Sequence, residues 1–318
     1  MTLSNSNLGI LCVLGAGLAF SINDIAIKFF THLMPLHEVV LFRAVFALIL
    51  TVSIFVPAEG GLKALKTRRP ILHICRGLLL VLANLSFFSG LAVLSLADCT
   101  AIFFIAPLLI TALSKIFLNE PVGYKRWLAL LVGMMGVLFI IKPGAISFTW
   151  SILLPLIAAI TYACNNVIAR KMGLSEKAST MSFYIHSTFI IICGLMGLFF
   201  GTGIMAGSKN PALEFVFRSW IVPDTKMITI IFVAGLGSAF GGYLISQAYR
   251  LCSASTVAPF EYSTLILAVF WGFSLWRETP DISSLFGIIL IVISGVFIAK
   301  SSIGNEIIPS VQKVSSRR

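Results

Sequence analysis

"AFSINDIAIKFF", residues 19–30, sets Asn23, Asp24 and Lys28 inside an otherwise apolar segment. An ionised carboxylate in hydrocarbon costs several kcal/mol unless it is paired, hydrated or lodged in a cavity. The segment therefore either lies outside a membrane or turns its polar face towards protein. Composition decides between the two. Of the 318 residues, 58% are hydrophobic and only 11% are charged, against about 45–50% and about 25% in soluble domains. A globule so poor in charge would expose far too much apolar surface. Apolar runs long enough to cross about 30 Å of hydrocarbon as helices recur from end to end. The chain reads as an all-α integral membrane protein.

A spanning-length window places ten transmembrane helices at roughly 8–30, 37–57, 71–93, 97–118, 126–142, 149–169, 181–201, 227–249, 255–276 and 284–300. Trp127, Trp150 and Trp276 fall at segment ends, where interfacial anchors belong. The one long connection, 202–226, mixes apolar and charged residues around Pro211 and is expected along the surface. The net charge of +11 sits in short loops: Lys63, Lys66, Arg68 and Arg69, then Lys125 and Arg126, then Arg170, Lys171 and Lys177, and finally Lys313, Arg317 and Arg318. Such loops are orientation signals and not a phosphate-binding face, so no nucleic-acid partner is expected. With both termini cytoplasmic, the opposite loops hold chiefly Lys142, Lys209, Arg218, Lys226 and Arg277. The first span has no Lys or Arg before Lys28 and no cleavage site after it, so it reads as retained. Six cysteines lie singly in or beside apolar runs and form no C-x-x-C pair, which argues for buried small hydrophobes over a metal site.

The opening segment has a copy. "AFSINDIAIK" (19–28) aligns without a gap with "TYACNNVIAR" (161–170), pairing Asn23 with Asn165, Asp24 with Asn166 and Lys28 with Arg170. "SGLAVLSLADCTAIF" (89–103) lies against "QAYRLCSASTVAPFE" (247–261), and "FLNEP" (117–121) matches "LWRETP" (275–280) with one insertion. The order and near-constant spacing define two five-helix repeats, 1–145 and 146–301, followed by a polar cytoplasmic tail, 302–318. Five is odd, so the repeats insert in opposite orientations. Inverted repeats are the architecture of secondary transporters, whose site lies near the midplane where the halves meet.

At this point the sequence resembles a known family, the EamA-like branch of the drug/metabolite transporter superfamily, over about residues 8–300. The resemblance is carried by the ten spans, by Arg43 in "LFRAVFALIL", by "LADCTAIFFIAPLLITALSKIFLNEP" and by "LVGMMGVLFIIKPG". Its second-half counterparts are "SASTVAPFEYSTLILAVFWGFSLWRETP" and "FGIILIVISGVFIAK". Family members commonly have Gly-Glu where this chain has Asn119-Glu120 and Arg277-Glu278, a departure that touches loop geometry more than class. The resemblance implies alternating-access transport of a small organic metabolite across the cytoplasmic (inner) membrane without ATP. An amino acid or related compound, S-adenosylmethionine, or a riboflavin-like vitamin are the implied solutes, with export of metabolites or drugs as the alternative. No phosphate loop G-x-x-x-x-G-K-[ST] is present, and no cofactor is expected.

Glu261, in "APFEYSTL", has no Lys or Arg within a turn and Phe103 as its repeat mate. A carboxyl there lies away from water, where it can carry a proton or meet a cationic group of the solute, and that role is favoured over packing against Tyr262 or Ser263. Asp24 either pairs with Lys28 four residues on or faces a central cavity. The clusters Asn23-Asp24 and Asn165-Asn166 would then form a polar collar at each mouth. Arg43 and Arg76 can bind a carboxylate or phosphate, but bonding to helix ends or pairing with Glu38 or Asp98 is favoured. His186, beside Tyr184, reads as a packed neutral residue with a proton relay as the alternative. Asn84, Gln247, Tyr162, Tyr249 and Trp271 are candidate lining groups, or interhelical bonds. Gly197-x-x-x-Gly201 and Gly237-x-x-x-Gly241 permit close helix approach, within the chain or in a homodimer. A membrane-embedded enzyme would need a nucleophile with its base or clustered metal ligands, and the sequence offers neither. A scaffold or receptor that transports nothing remains the rival of another class.

Overall fold

The computed structural model describes residues 5–28, 30, 33–94, 99, 102–141, 150–204, 206–208, 210–276 and 282–303. The helices among them are α1 (Asn5–Lys28), α2 (Leu36–Leu50), α3 (Val56–Ala58), α4 (Pro70–Leu91), α5 (Ala106–Leu118), α6 (Tyr124–Ile141) and α7 (Leu153–Gly173). They continue with α8 (Ala178–Phe200), α9 (Pro211–Phe217), α10 (Thr225–Leu251), α11 (Ala254–Val257), α12 (Ser263–Trp276) and α13 (Ile282–Ile303). In lipid every backbone N–H and C=O must find a partner within the chain, and an apolar helix meets that demand segment by segment. Six of the described segments are long and apolar enough to cross a membrane, Asn5–Ile27, Leu36–Ala58, Pro70–Leu91, Leu153–Gly173, Ala178–Phe200 and Thr225–Leu251. Ala106–Leu118 and Ile282–Ile298 are shorter apolar helices.

Several helices are interrupted where the sequence demands it. Pro57 has no N–H to continue the ladder, and just before it Thr51–Phe55 widens into a π turn joining α2 to α3. Pro259 lies in a 3-10 stretch, Ala258–Tyr262, between α11 and α12. α5 likewise starts at Ala106-Pro107 after a turn at Phe104–Ile105. Asn119 ends α5 at φ 52°, in the left-handed region. That conformation suits Gly, with Asn next best, so the departure from the family's Gly-Glu pattern is conformationally cheap.

α1 lies along α10 and α4 along α7, while α12 rests on α1 and α5 on α7. α2 packs with α8, and α6 with α13. Glycines set two of these contacts. A Cβ on Gly237 would stand 2.5 Å from the Ala19 carbonyl oxygen, and one on Gly136 2.7 Å from that of Gly287. Gly197 and Gly201 face Trp220, and Gly241 faces Phe20. Both glycine pairs are thus used inside the chain.

Segment 202–226 is docked and not merely laid on the surface. α9 buries Ala212, Phe215 and Val216. His37 Nδ1 bonds the Val216 carbonyl at 2.7 Å and its Nε2 meets Trp220 Nε1 at 2.5 Å. A carbonyl only accepts and an indole N–H only donates, so this is neutral imidazole with the proton on Nδ1. Glu38 takes the Ile221 N–H at 3.2 Å. The outer surface is apolar, with Leu11, Leu131, Met135, Leu198, Phe199 and Ile293 exposed, whereas Asn23, Arg43, Arg76, Asn165, Asn166 and His186 are buried. Apolar outside and polar inside is the arrangement of a multi-pass membrane protein.

Candidate functional site

Arg43, on α2, is buried and reaches across to two other helices. Its Nη1 donates to Asn23 Oδ1 of α1 and its Nη2 to Asn84 Oδ1 of α4, both at 3.2 Å. Asn23 Nδ2 then donates to Asp24 Oδ1 at 3.0 Å. The guanidinium lies 5.6 Å from the Phe189 ring centroid of α8, within cation–π range. Asp24 is exposed beside buried Asn23. Glu38, offered from sequence as a partner for Arg43, is held by Ile221 instead. Asp98 and the Lys28 side chain lie outside the described residues.

Glu261 stands at a second polar centre. Tyr249 Oη of α10 donates to its Oε1 at 2.5 Å. Tyr162 of α7 lies near Glu261. The Tyr162 ring is 5.4 Å from that of Phe103, which is 5.0 Å from Phe87. Asn165 Nδ2 donates to Asn166 Oδ1 at 3.0 Å, leaving Asn165 Oδ1 and Asn166 Nδ2 buried without partners among the described residues. Among the described residues Ser182 Oγ, Ser246 Oγ, His186 Nε2 and Arg43 Nε are also buried without a partner. A Cβ on Gly242 would sit 3.3 Å from Ser182 Oγ and 3.6 Å from His186 Nε2, so those two groups meet α10 side by side. Orphaned polar atoms in such numbers call for water or a polar solute.

The other candidates lie elsewhere. Trp271 Nε1 donates to Ser21 Oγ at 3.0 Å, tying α12 to α1. Gln247 belongs to a network around Glu59, with Tyr243 and Arg250. Tyr184 stacks on His73 at 4.3 Å and donates to the Leu65 carbonyl at 3.2 Å. Arg76 is buried one turn from His73, with Nε and Nη1 unpartnered among the described residues. Tyr262 is fully buried with its ring against Gly133. Sequence reasoning also missed a clamp. Glu120 Oε1 takes Arg170 Nε at 2.8 Å and its Oε2 takes the Ala254 N–H at 2.9 Å. Arg170 Nη1 adds the carbonyls of Tyr249 and Arg250 at 3.3 and 3.2 Å. The available signal was the pairing of Arg170 with Lys28 in the repeat beside the Glu120 motif.

The profile of the EamA-like transporter family matches residues 7–142 and again residues 149–300. The chain belongs to the EamA-like transporter family. Members are transporters and not enzymes, and this chain is a small-molecule transporter. It is 28% identical over 281 residues to the S-adenosylmethionine uptake transporter of Rickettsia prowazekii, covering 88% of each protein. It is 25% identical over 305 residues to the riboflavin transporter of Rhizobium johnstonii, covering 95% of this chain and 94% of that one. The pseudopaline exporter CntI of Pseudomonas aeruginosa is 24% identical over 298 residues, with 93% and 97% covered. A crystal structure superposes with a TM-score of 0.75 at 15% identity over 94% of this chain and 98% of that one, which shows the fold alone. Within this EamA-like chain, the two centres described above draw on both matched regions.

Proposed function

We propose that this EamA-like protein is an uptake transporter for S-adenosylmethionine or a closely related amino-acid-bearing solute in the cytoplasmic membrane. It works as ten spans in two inverted halves, with both termini inside and Glu261 coupling transport to protons. The observation that carries this reading is the pair of polar centres, Arg43–Asn23–Asp24 with Asn84 and Glu261–Tyr249. Two carboxylates against one guanidinium leave room for one extra positive charge. A sulfonium on a zwitterionic amino acid supplies it, as does a proton carried with a neutral zwitterion. The Phe87–Phe103–Tyr162 row, whose rings are inclined to one another by 62° and 53°, gives an apolar aromatic wall against which a purine ring can pack. The S-adenosylmethionine and riboflavin relatives fit such a wall.

Uptake of labelled S-adenosylmethionine into proteoliposomes holding the full chain tests the reading. Accumulation that excess unlabelled compound suppresses is expected. Flux no greater than into protein-free vesicles, with riboflavin or free amino acids moving instead, would replace the solute while keeping the class.

A further inference from the structure

Arginine donates hydrogen bonds and never accepts them. The contacts of Arg43 with Asn23 and Asn84 therefore fix both amides with oxygen towards the guanidinium, and the two NH2 groups must point elsewhere. That of Asn23 goes to Asp24. That of Asn84 has no partner among the described residues, and Asn84 is only half-buried on α4. The remaining carboxylate oxygen of Asp24 likewise accepts no hydrogen bond from the described residues, and the residue is exposed. One guanidinium thus organises a wall that offers a negative acceptor from α1 and a neutral donor from α4. Among the described residues the wall's own charges, Asp24 and Arg43, cancel. Its complement is a group with a cationic donor and an anionic acceptor side by side and no net charge.

We propose that Asp24 and the Asn84 NH2 receive the α-amino-acid head of the solute, ammonium to Asp24 and carboxylate to Asn84, with Arg43 as the positioning residue that sets both. The assignment rests on the transporter reading above but not on its particular solute. Nη1 and Nη2 of Arg43 each give an N–H to an asparagine oxygen, which is what makes Arg43 the positioning residue of the pair. The rest of the solute lies towards Tyr162 and Glu261, so the amino-acid head is the shared part among accepted compounds and the remainder is where they differ.

The test is the melting temperature of the detergent-purified full chain with methionine, S-adenosylmethionine, S-adenosylhomocysteine and 5′-methylthioadenosine, a ligand of the folded state alone raising it. The first three carry the head and raise the melting temperature; 5′-methylthioadenosine lacks it and does not. Asp24→Asn keeps an acceptor for Asn23, and Asn84→Asp keeps an oxygen for Arg43 while turning the donor into an acceptor. Each lowers affinity for all three head-bearing probes by about tenfold or more, with the melting temperature of the free protein unchanged. Arg43→Lys keeps the charge and loses the fork, so discrimination between S-adenosylmethionine and 5′-methylthioadenosine falls, a selectivity change that general loosening does not produce. Equal stabilisation by 5′-methylthioadenosine, full retention of methionine binding in both variants, or no shift with any head-bearing probe overturns the assignment. Binding of methionine without S-adenosylmethionine uptake removes the proposed solute and leaves the assignment standing. Uptake of S-adenosylmethionine with equal competition by 5′-methylthioadenosine does the reverse.

Discussion

Glu261 can accept the Tyr249 hydroxyl whether or not it is ionised, whereas only the carboxyl form can carry a proton. Glu261→Gln keeps the acceptor oxygen and the volume, so the fold should survive while coupling is lost. An inward proton gradient is expected to accelerate S-adenosylhomocysteine uptake in the unaltered protein and to have no effect in the variant, read as initial rates with and without the gradient. Tyr249→Phe removes the hydrogen bond to a carboxyl group, worth about 1.5–3 kcal/mol for a charged partner. It should weaken solute binding by about tenfold or more, measured by competition against labelled S-adenosylmethionine. Glu261 was legible because no cation lies near it in sequence. Arg43 and Arg76 were not separable in the same way. Both are single arginines about a turn and a half into apolar runs, and only packing puts one between two asparagines and the other one turn from a buried His73. Chemistry marks a polar residue as costly in lipid, but it takes the neighbouring helices to say what it faces.

Whole helices were easier to read than faces. The runs expected at 71–93 and 181–201 are α4 at Pro70–Leu91 and α8 at Ala178–Phe200, because spanning length and apolarity leave little choice. The interruptions were less legible, since a proline announces a missing N–H but not whether a π turn, as before Pro57, or a 3-10 stretch, as at Pro259, absorbs it. Glycine contacts give an element-level test. Gly237→Ala drives a Cβ into the Ala19 carbonyl and should lower the melting temperature, at a cost of about 1–3 kcal/mol for overpacking, whereas Gly194, whose nearest neighbour is Leu41 Cδ1 at 3.9 Å, should tolerate Ala. The Glu120–Arg170 clamp gives another. It holds the turn from Cys252 to Ala254 between α10 and α11, and Tyr249 joins it to the site, offering its carbonyl to Arg170 and its hydroxyl to Glu261. Burial pushes the Cys252 thiol up to about 11, so the reactive thiolate is scarce at pH 8. Glu120→Ala, in a chain with the other five cysteines replaced, should free the turn, return the thiol towards the usual range of about 8.5 and speed alkylation by about tenfold or more. An unchanged rate would mean that the clamp does not hold this turn.

At the scale of the molecule, the pairings among helices follow one rule. If α1 corresponds to α7 and α4 to α10, as the aligned segments 19–28 with 161–170 and 89–103 with 247–261 require, the contact of α1 with α10 becomes that of α7 with α4. By the same exchange the contact of α12 with α1 becomes that of α5 with α7, while α2 with α8 and α6 with α13 map onto themselves. Contacts that permute in this way are those expected of the two copies proposed above, and five spans in each would make the copies face opposite sides. Reporter fusions decide the count. A periplasmically active phosphatase joined after residue 145 should be active, and a fluorescent protein that matures only in the cytoplasm should be bright when joined after residue 318. The same chimeras exchanged, fluorescent protein after 145 and phosphatase after 318, should both be silent. Both junctions on one side would mean an even number of crossings in the second half. That result would end the inverted arrangement, because two copies with an even number of spans can only lie parallel.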